Sequence, residues 1–261
     1  MANSPCIAVV GKGGVGKTTI AAFTVKVLLE RLCTPILAVD ADPSACLAGV
    51  LGQEIEETIG GIREDTRAVA GGIPENIPKQ QYLALKIQEA IIEAKGFDLL
   101  TMGRPEGPGC YCFVNNVLRD NLDRLTQTYR ATVIDCEAGL EHLSRRTNRC
   151  VDTMILIADP TIKALDTLKT VLTIAAEIDN PIGRFVLILN RVPVGKEEAV
   201  RQAAAARLDL SKFEDVLILP QDDAIFDAEL TGQSILHIDG RIPSYQAYRR
   251  FIDQLSPPLV K

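Results

Sequence analysis

Residues 11–19 read Gly-Lys-Gly-Gly-Val-Gly-Lys-Thr-Thr. Gly11, Gly16, Lys17 and Thr18 satisfy the phosphate-loop spacing G-x-x-x-x-G-K-[ST]. The apolar run Cys6-Ile7-Ala8-Val9-Val10 before it predicts a buried parallel strand. The amphipathic run Ile20–Leu32 after it predicts a helix. Strand, glycine loop and helix, in that order, are the context the pattern requires. The glycines let successive backbone N–H groups converge as an anion nest, and the helix N-terminus adds the positive end of its dipole. Gly11, Gly13, Gly14, Val15, Gly16, Lys17, Thr18 and Thr19 are therefore the candidate nucleotide-binding residues. Lys17 is expected to reach the β- and γ-phosphates of ATP, and the Thr18 hydroxyl to ligate Mg²⁺.

The same glycines admit a second reading. Gly11, Gly13 and Gly16 spell G-x-G-x-x-G, and Asp40 follows at a spacing suited to a ribose hydroxyl. That dinucleotide fingerprint has no need of a lysine and a hydroxyl straight after its third glycine, whereas a phosphate loop does. The loop is read as that of a P-loop NTPase.

The rest of the chain fits this reading. Apolar strand candidates (Cys6–Val10, Pro35–Val39, Phe97–Met102, Ala131–Ile134, Thr153–Ala158, Phe185–Leu189 and Val216–Leu219) alternate with helical patterns. The helical patterns cover Thr18–Arg31, Tyr82–Ala94, Phe113–Thr128, Ile162–Glu177, Glu197–Ala206 and Pro243–Gln254. Such alternation predicts an α/β fold: a doubly wound, mostly parallel sheet with helices on both faces. Residues 1–261 are read as a single P-loop ATPase domain, with Gly52–Gln80, polar and rich in Gly and Pro, as a long surface excursion. Ligands are expected at the C-terminal ends of the strands.

Composition narrows the function. The formal net charge of −6 argues against a nucleic-acid-binding surface. No apolar run approaches the roughly 20 residues that span a bilayer. Pro257 and Pro258 break any amphipathic membrane helix at the C-terminus. The N-terminus enters the first strand too soon for a signal peptide. Seven cysteines, an odd number, then point to the reducing cytoplasm and to free or metal-bound thiols.

Lys12 is a second lysine where an ordinary phosphate loop has no requirement. With it the loop resembles the deviant Walker A, K-G-G-x-G-K-[ST], of the MinD/ParA/nitrogenase-iron-protein class. The resemblance implies that Lys12 crosses a homodimer interface to the partner's nucleotide. Val39-Asp40-Ala41-Asp42-Pro43 resembles the first switch of that class. Asp42 is thereby expected to orient or deprotonate the attacking water, and Asp40 to stand in the second shell of Mg²⁺; a plain turn with a helix cap from Asp42 or Ser44 is the alternative. Thr132-Val133-Ile134-Asp135, an apolar strand ending in Asp, reads as Walker B, so that Asp135 holds Mg²⁺ through water and the Gly139 N–H senses the γ-phosphate. By the same resemblance Asn190 reads the adenine amino group, and Leu219-Pro220-Gln221-Asp222 walls the base, with Pro220 a candidate contact.

Gly107-Pro108-Gly109-Cys110-Tyr111-Cys112 carries different chemistry. In an extended backbone residues i and i+2 point to one side, so Cys110 and Cys112 can face one ion. Zn²⁺ and similar ions take four ligands, one chain offers two here, and a two-fold dimer presents the pair twice. One Zn²⁺ or Ni²⁺ held by four thiolates from two subunits is the economical solution. His142 and His237 lie too far along the chain to be recruited. Cys6, Cys33 and Cys150 sit in or near apolar elements and read as structural, while Cys46 and Cys136 near the switches are left open.

Together with the two-lysine loop and Asp-Ala-Asp-Pro, the segment Gly-Arg-Pro-Glu-Gly-Pro-Gly-Cys-Tyr-Cys is similar to that of the CooC family. These are accessory ATPases that help insert nickel into carbon monoxide dehydrogenase, with a related branch serving acetyl-CoA synthase. The resemblance implies a homodimeric ATP hydrolase that matures one of those enzymes. Two rivals share the fold. An iron-protein-like reductase needs a second cysteine shortly after the Walker B Asp; here Cys136 comes too early, and Glu137–His142 contains none. A MinD- or ParA-like positioning ATPase has no use for the Cys-x-Cys pair.

Overall fold

The computed structural model describes residues 4–62, 77–104, 125–137, 151–177, 182–255 and 259. Eight strands form one sheet: β1 (Cys6–Gly11), β2 (Ile36–Asp40), β3 (Ile91–Ala94), β4 (Phe97–Thr101), β5 (Ala131–Asp135), β6 (Val151–Ala158), β7 (Ile182–Val192) and β8 (Asp215–Pro220). Their order is β3-β4-β2-β5-β1-β6-β7-β8. Every neighbouring pair is parallel except β3 with β4. β1, β2 and β5 are buried along their whole length, as apolar strands covered on both faces must be. β2 to β5 all lie on one side of β1, with β5 returning between β1 and β2, and β6 to β8 lie on the other. The C-terminal end of β1 is therefore the topological switch point where such sheets hold ligands.

The main helices are α1 (Lys17–Glu30), α2 (Leu47–Leu51), α3 (Lys79–Glu89), α4 (Ile162–Glu177), α5 (Glu197–Ala205), α6 (Asp223–Thr231) and α7 (Pro243–Gln254). α1 packs against β1, β2 and β5, α4 against β6 and β1, α5 against β7, and α7 against β8. The expected amphipathic α1 is instead buried on every side: each residue from Thr19 to Leu28 is buried. The sheet covers one side, and α2, α7 and the 3₁₀ turn Ile235–His237 cover the others. Phe23 meets Tyr245 and Tyr248 of α7 at centroid distances of 5.1 and 5.7 Å. The Thr24 and Tyr248 hydroxyls lie 2.6 Å apart.

This burial gives Lys26 a structural task. Its ammonium donates to the carbonyls of Leu236 (2.7 Å) and Ile238 (3.0 Å) and lies 5.2 Å from the centre of the Tyr245 ring. Lys26→Met removes both charged donors and leaves two carbonyls short of a partner. It is expected to destabilise the fold by about 2 kcal/mol, read as a lower denaturation midpoint in urea at unchanged slope.

Two sequence readings need correction. The helix predicted over Tyr82–Ala94 ends at Glu89, and Ile91–Ala94 turns back as an antiparallel edge strand. The β-branched pair Ile91-Ile92 pairs with β4, and Gly96, at φ +88°, supplies the turn. The excursion over Gly52–Gln80 is not wholly superficial. Ile59 and Ile62 are buried, and the Gly60 N–H donates to the Met102 carbonyl at 2.9 Å. A Cβ on Gly60 would lie 2.2 Å from the Arg104 carbonyl oxygen, so only glycine permits that approach. α2 and α6 were not expected. Of the predicted helix Phe113–Thr128, the described end is the 3₁₀ turn Thr126–Thr128. Among the described residues no helix is long and apolar enough to cross a membrane.

Candidate functional site

The phosphate loop leaves the end of β1 and enters α1. Gly11 is confined by the neighbouring strand: a Cβ there would lie 2.3 Å from the Ile157 carbonyl oxygen. Gly14 and Gly16 have φ of +82° and +98°, in the left-handed region that turns the chain back over the helix N-terminus. Gly16 is the N-cap of α1, and no side chain caps that end. The first-turn N–H groups are thus left to an anion. Lys17 is buried, and its ammonium donates to the Lys12 carbonyl at 3.4 Å. Lys12 itself is half-buried beside the exposed Gly13 and Gly14.

Two carboxylates end the adjacent strands. Asp40 and Asp135 are paired neighbours in the β2–β5 register, and both are buried. Asp40 accepts from the backbone N–H of Asp42 (3.1 Å) and of Leu47 (2.8 Å), so each of its oxygens fixes the turn after β2. Asp42 accepts from the Ser44 N–H at 2.9 Å. The anticipated turn is present, but it is Asp40, not Asp42 or Ser44, that satisfies the first N–H of α2. Burial pushes the Asp40 carboxyl up to about 6, with the like charge of Asp42 adding to it and the two backbone donors opposing it.

Asp135 differs from Asp40. Both of its oxygens are buried and, among the described residues, neither is held by a backbone donor as those of Asp40 are; the Thr18 hydroxyl is its hydrogen-bonding neighbour. Burial pushes its carboxyl up to about 7, the charges of Asp40 and Asp42 add to this, and the Thr18 hydroxyl and Lys17 oppose it. A buried carboxylate beside a hydroxyl and a second acid is a donor set suited to a hard divalent cation. The residues present therefore fit Mg²⁺, which Asp135 and Thr18 would hold.

The far side of the loop is closed by the end of β7. The Asn190 amide donates to the Val15 carbonyl at 2.8 Å, and the Arg191 guanidinium to the Gly14 carbonyl at 2.9 Å. Arg191 also lies 3.9 Å from Glu229, which accepts from the Thr19 hydroxyl at 3.2 Å. Asn190, Pro220 and Phe226 line a cavity of about 560 Å³ that opens beside the loop. Asp222 organises its wall. One of its oxygens caps α6 through the Ala224 N–H (3.1 Å), and the other takes the Ser244 N–H of α7 (3.0 Å).

The fold brings the loop, Asp40, Asp42, Asp135, Asn190 and Pro220, all singled out in the sequence, to one edge of the sheet. The sequence reading omits Arg191, Glu229 and the double cap by Asp222. Only the last had a signal, an Asp ahead of a helix that ends at Gly232. Cys110, Cys112 and Gly139 lie outside the described residues. Among the described residues no group of three or more metal-ligating side chains occurs. Cys6 and Cys136 are buried, Cys33 is partly buried and Cys46 is exposed. Burial holds the Cys136 thiol well above its usual range and raises that of Cys46, with nearby carboxylates adding to both.

The chain is similar to several known proteins. An ATP-binding protein of Methanocaldococcus jannaschii, itself uncharacterised, is 46% identical over 196 residues, which is 74% of this chain and 77% of that protein. The carbon monoxide dehydrogenase accessory protein CooC of Rhodospirillum rubrum is 30% identical over 246 residues, 78% of this chain and 90% of that protein. The crystal structure of the Pyrococcus furiosus cell division ATPase MinD superposes with a TM-score of 0.67 at 22% identity, covering 97% of this chain and 99% of the other. The model of the CobQ/CobB/MinD/ParA nucleotide binding domain matches residues 6–235, from the first residue of β1 to beyond α6, and the chain belongs to that family of ATP-binding P-loop proteins.

Proposed function

We propose that this chain is a slow, Mg²⁺-dependent ATP hydrolase that works as a homodimer and assists nickel insertion into carbon monoxide dehydrogenase or the related acetyl-CoA synthase. The observation that supports the ATP chemistry best is the buried Asp135 carboxylate beside the phosphate loop, with the Thr18 hydroxyl and Lys17 as its neighbours. The maturation role is supported by the likeness to the Rhodospirillum rubrum accessory protein and by the Cys-Tyr-Cys segment at residues 110–112. When bound, Mg²⁺ would offset charge on the β- and γ-phosphates. In this reading Thr18 and Asp135 hold it, and Asp40 keeps the turn rigid behind them. Lys17 stabilises charge on the transferring phosphoryl group, and Asp42 positions the attacking water. Asn190 and Pro220 meet the adenine. Cys110 and Cys112 of two protomers share one Zn²⁺ or Ni²⁺, as cargo or as clamp.

Lys12 distinguishes a dimeric switch from a monomeric ATPase. If it crosses to the partner's nucleotide, Lys12→Gln weakens ATP-induced dimers and slows hydrolysis together, while ADP affinity stays within about twofold. Light scattering with ATP tests this. Dimerisation equal to that of the unaltered protein would return Lys12 to a solvated loop.

A further inference from the structure

Successive residues of a regular strand point to opposite faces, yet Asn190 and Arg191 both bond the phosphate loop. The end of β7 is irregular in just the way this requires. Its register against β8 shifts between Leu189 and Val192, and Arg191 has φ of +57°, one of three non-glycine residues with positive φ among those described. Bulges beside binding sites re-aim side chains, and a left-handed arginine is backbone strain that the surroundings must hold in place.

The two bonds fall on consecutive peptide groups. Asn190 holds the Val15 carbonyl and Arg191 the Gly14 carbonyl. In a trans peptide the C=O of one residue and the N–H of the next point in opposite directions. Drawing the Gly14 and Val15 carbonyls outward therefore turns the N–H groups of Val15 and Gly16 inward, toward the phosphates. Glu229 steadies the guanidinium from its other side.

We infer that Arg191, which also lines the cavity beside the loop, is a positioning residue that braces the phosphate loop and pre-forms the anion nest. The inference rests on the ATP-binding reading above and assigns the residue a role in phosphate grip. Inorganic tripolyphosphate, which has no base or ribose, separates this role from base contact. Arg191→Ala is expected to weaken tripolyphosphate and Mg-ATP by the same factor, about tenfold, since one charge-assisted hydrogen bond is lost. Arg191→Lys keeps the charge but not the planar fork, and is expected to weaken both by about threefold. Calorimetric titration reads both ligands, and Arg191→Lys carries the test if Arg191→Ala does not fold. Tripolyphosphate affinity unchanged in Arg191→Ala, or Arg191→Lys equal to the unaltered protein, overturns the brace and leaves ATP binding standing. Failure of the unaltered protein to bind either ligand overturns the ATP-binding reading itself.

Discussion

Lys17→Ala is expected to lower ATP hydrolysis by about a thousandfold, equivalent to ~4 kcal/mol of transition-state stabilisation. The ammonium is buried at the loop, 3.4 Å from the Lys12 carbonyl and near enough to Asp135 to draw that carboxyl down. It sits at an anion nest rather than in the apolar core, so its role lies in turnover and not in the fold. The thermal midpoint of the nucleotide-free variant is expected to change little, even as turnover disappears. A steady-state phosphate-release assay and a thermal melt on the same sample check the two halves. A large drop in midpoint with activity retained would assign Lys17 to the fold instead.

Asp135→Asn is expected to lower Mg²⁺-supported hydrolysis by at least about a hundredfold, with nucleotide binding in EDTA little changed. The variant also tests linkage. The Asp40 and Asp135 carboxyls are raised to about 6 and about 7, above the 3.8 of the unfolded chain. Between pH 4 and 7 the folded protein accordingly holds more protons than the unfolded one, so its metal-free stability falls as pH rises through that window. Mg²⁺ replaces those protons, so the rise in melting temperature on adding Mg²⁺ is expected to be larger at pH 8 than at pH 5. Asp135→Asn removes most of this pH-dependent response. A Mg²⁺ shift equal at both pH values would show that the buried pair is not the ion's site.

The nucleotide edge was legible because parallel strands buried on both faces are written as unbroken apolar runs. Asp40, Asp135 and Asn190 each follow such a run, so their common position at the strand ends follows from the fold class alone. What could not be read depends on tertiary pairing. Ile91-Ile92 continues the helical spacing of the preceding residues, and only the presence of β4 makes it a strand. Arg191 carries no sequence signal, because its role arises from a left-handed backbone and a register shift. α6 was legible in principle from Asp222 and Gly232 at its two ends. The turn after β2 is held by the deeper carboxylate, Asp40, while Asp42 accepts from the Ser44 N–H, a division the Asp-x-Asp spacing does not reveal.

Metal content and molecular mass, measured together on the unaltered protein and on Cys110→Ala and Cys112→Ala with and without ATP, test the central claim most directly. The account predicts one Zn²⁺ or Ni²⁺ per dimer, since four thiolates from two chains complete one tetrahedral site. It predicts loss of that metal in either variant with ATP hydrolysis retained. Dimer formation and metal affinity should each rise in the presence of the other ligand, because coupling between two sites is reciprocal. One metal per monomer, indifferent to both substitutions, would contradict the account and leave an ATPase whose paired thiols hold no metal.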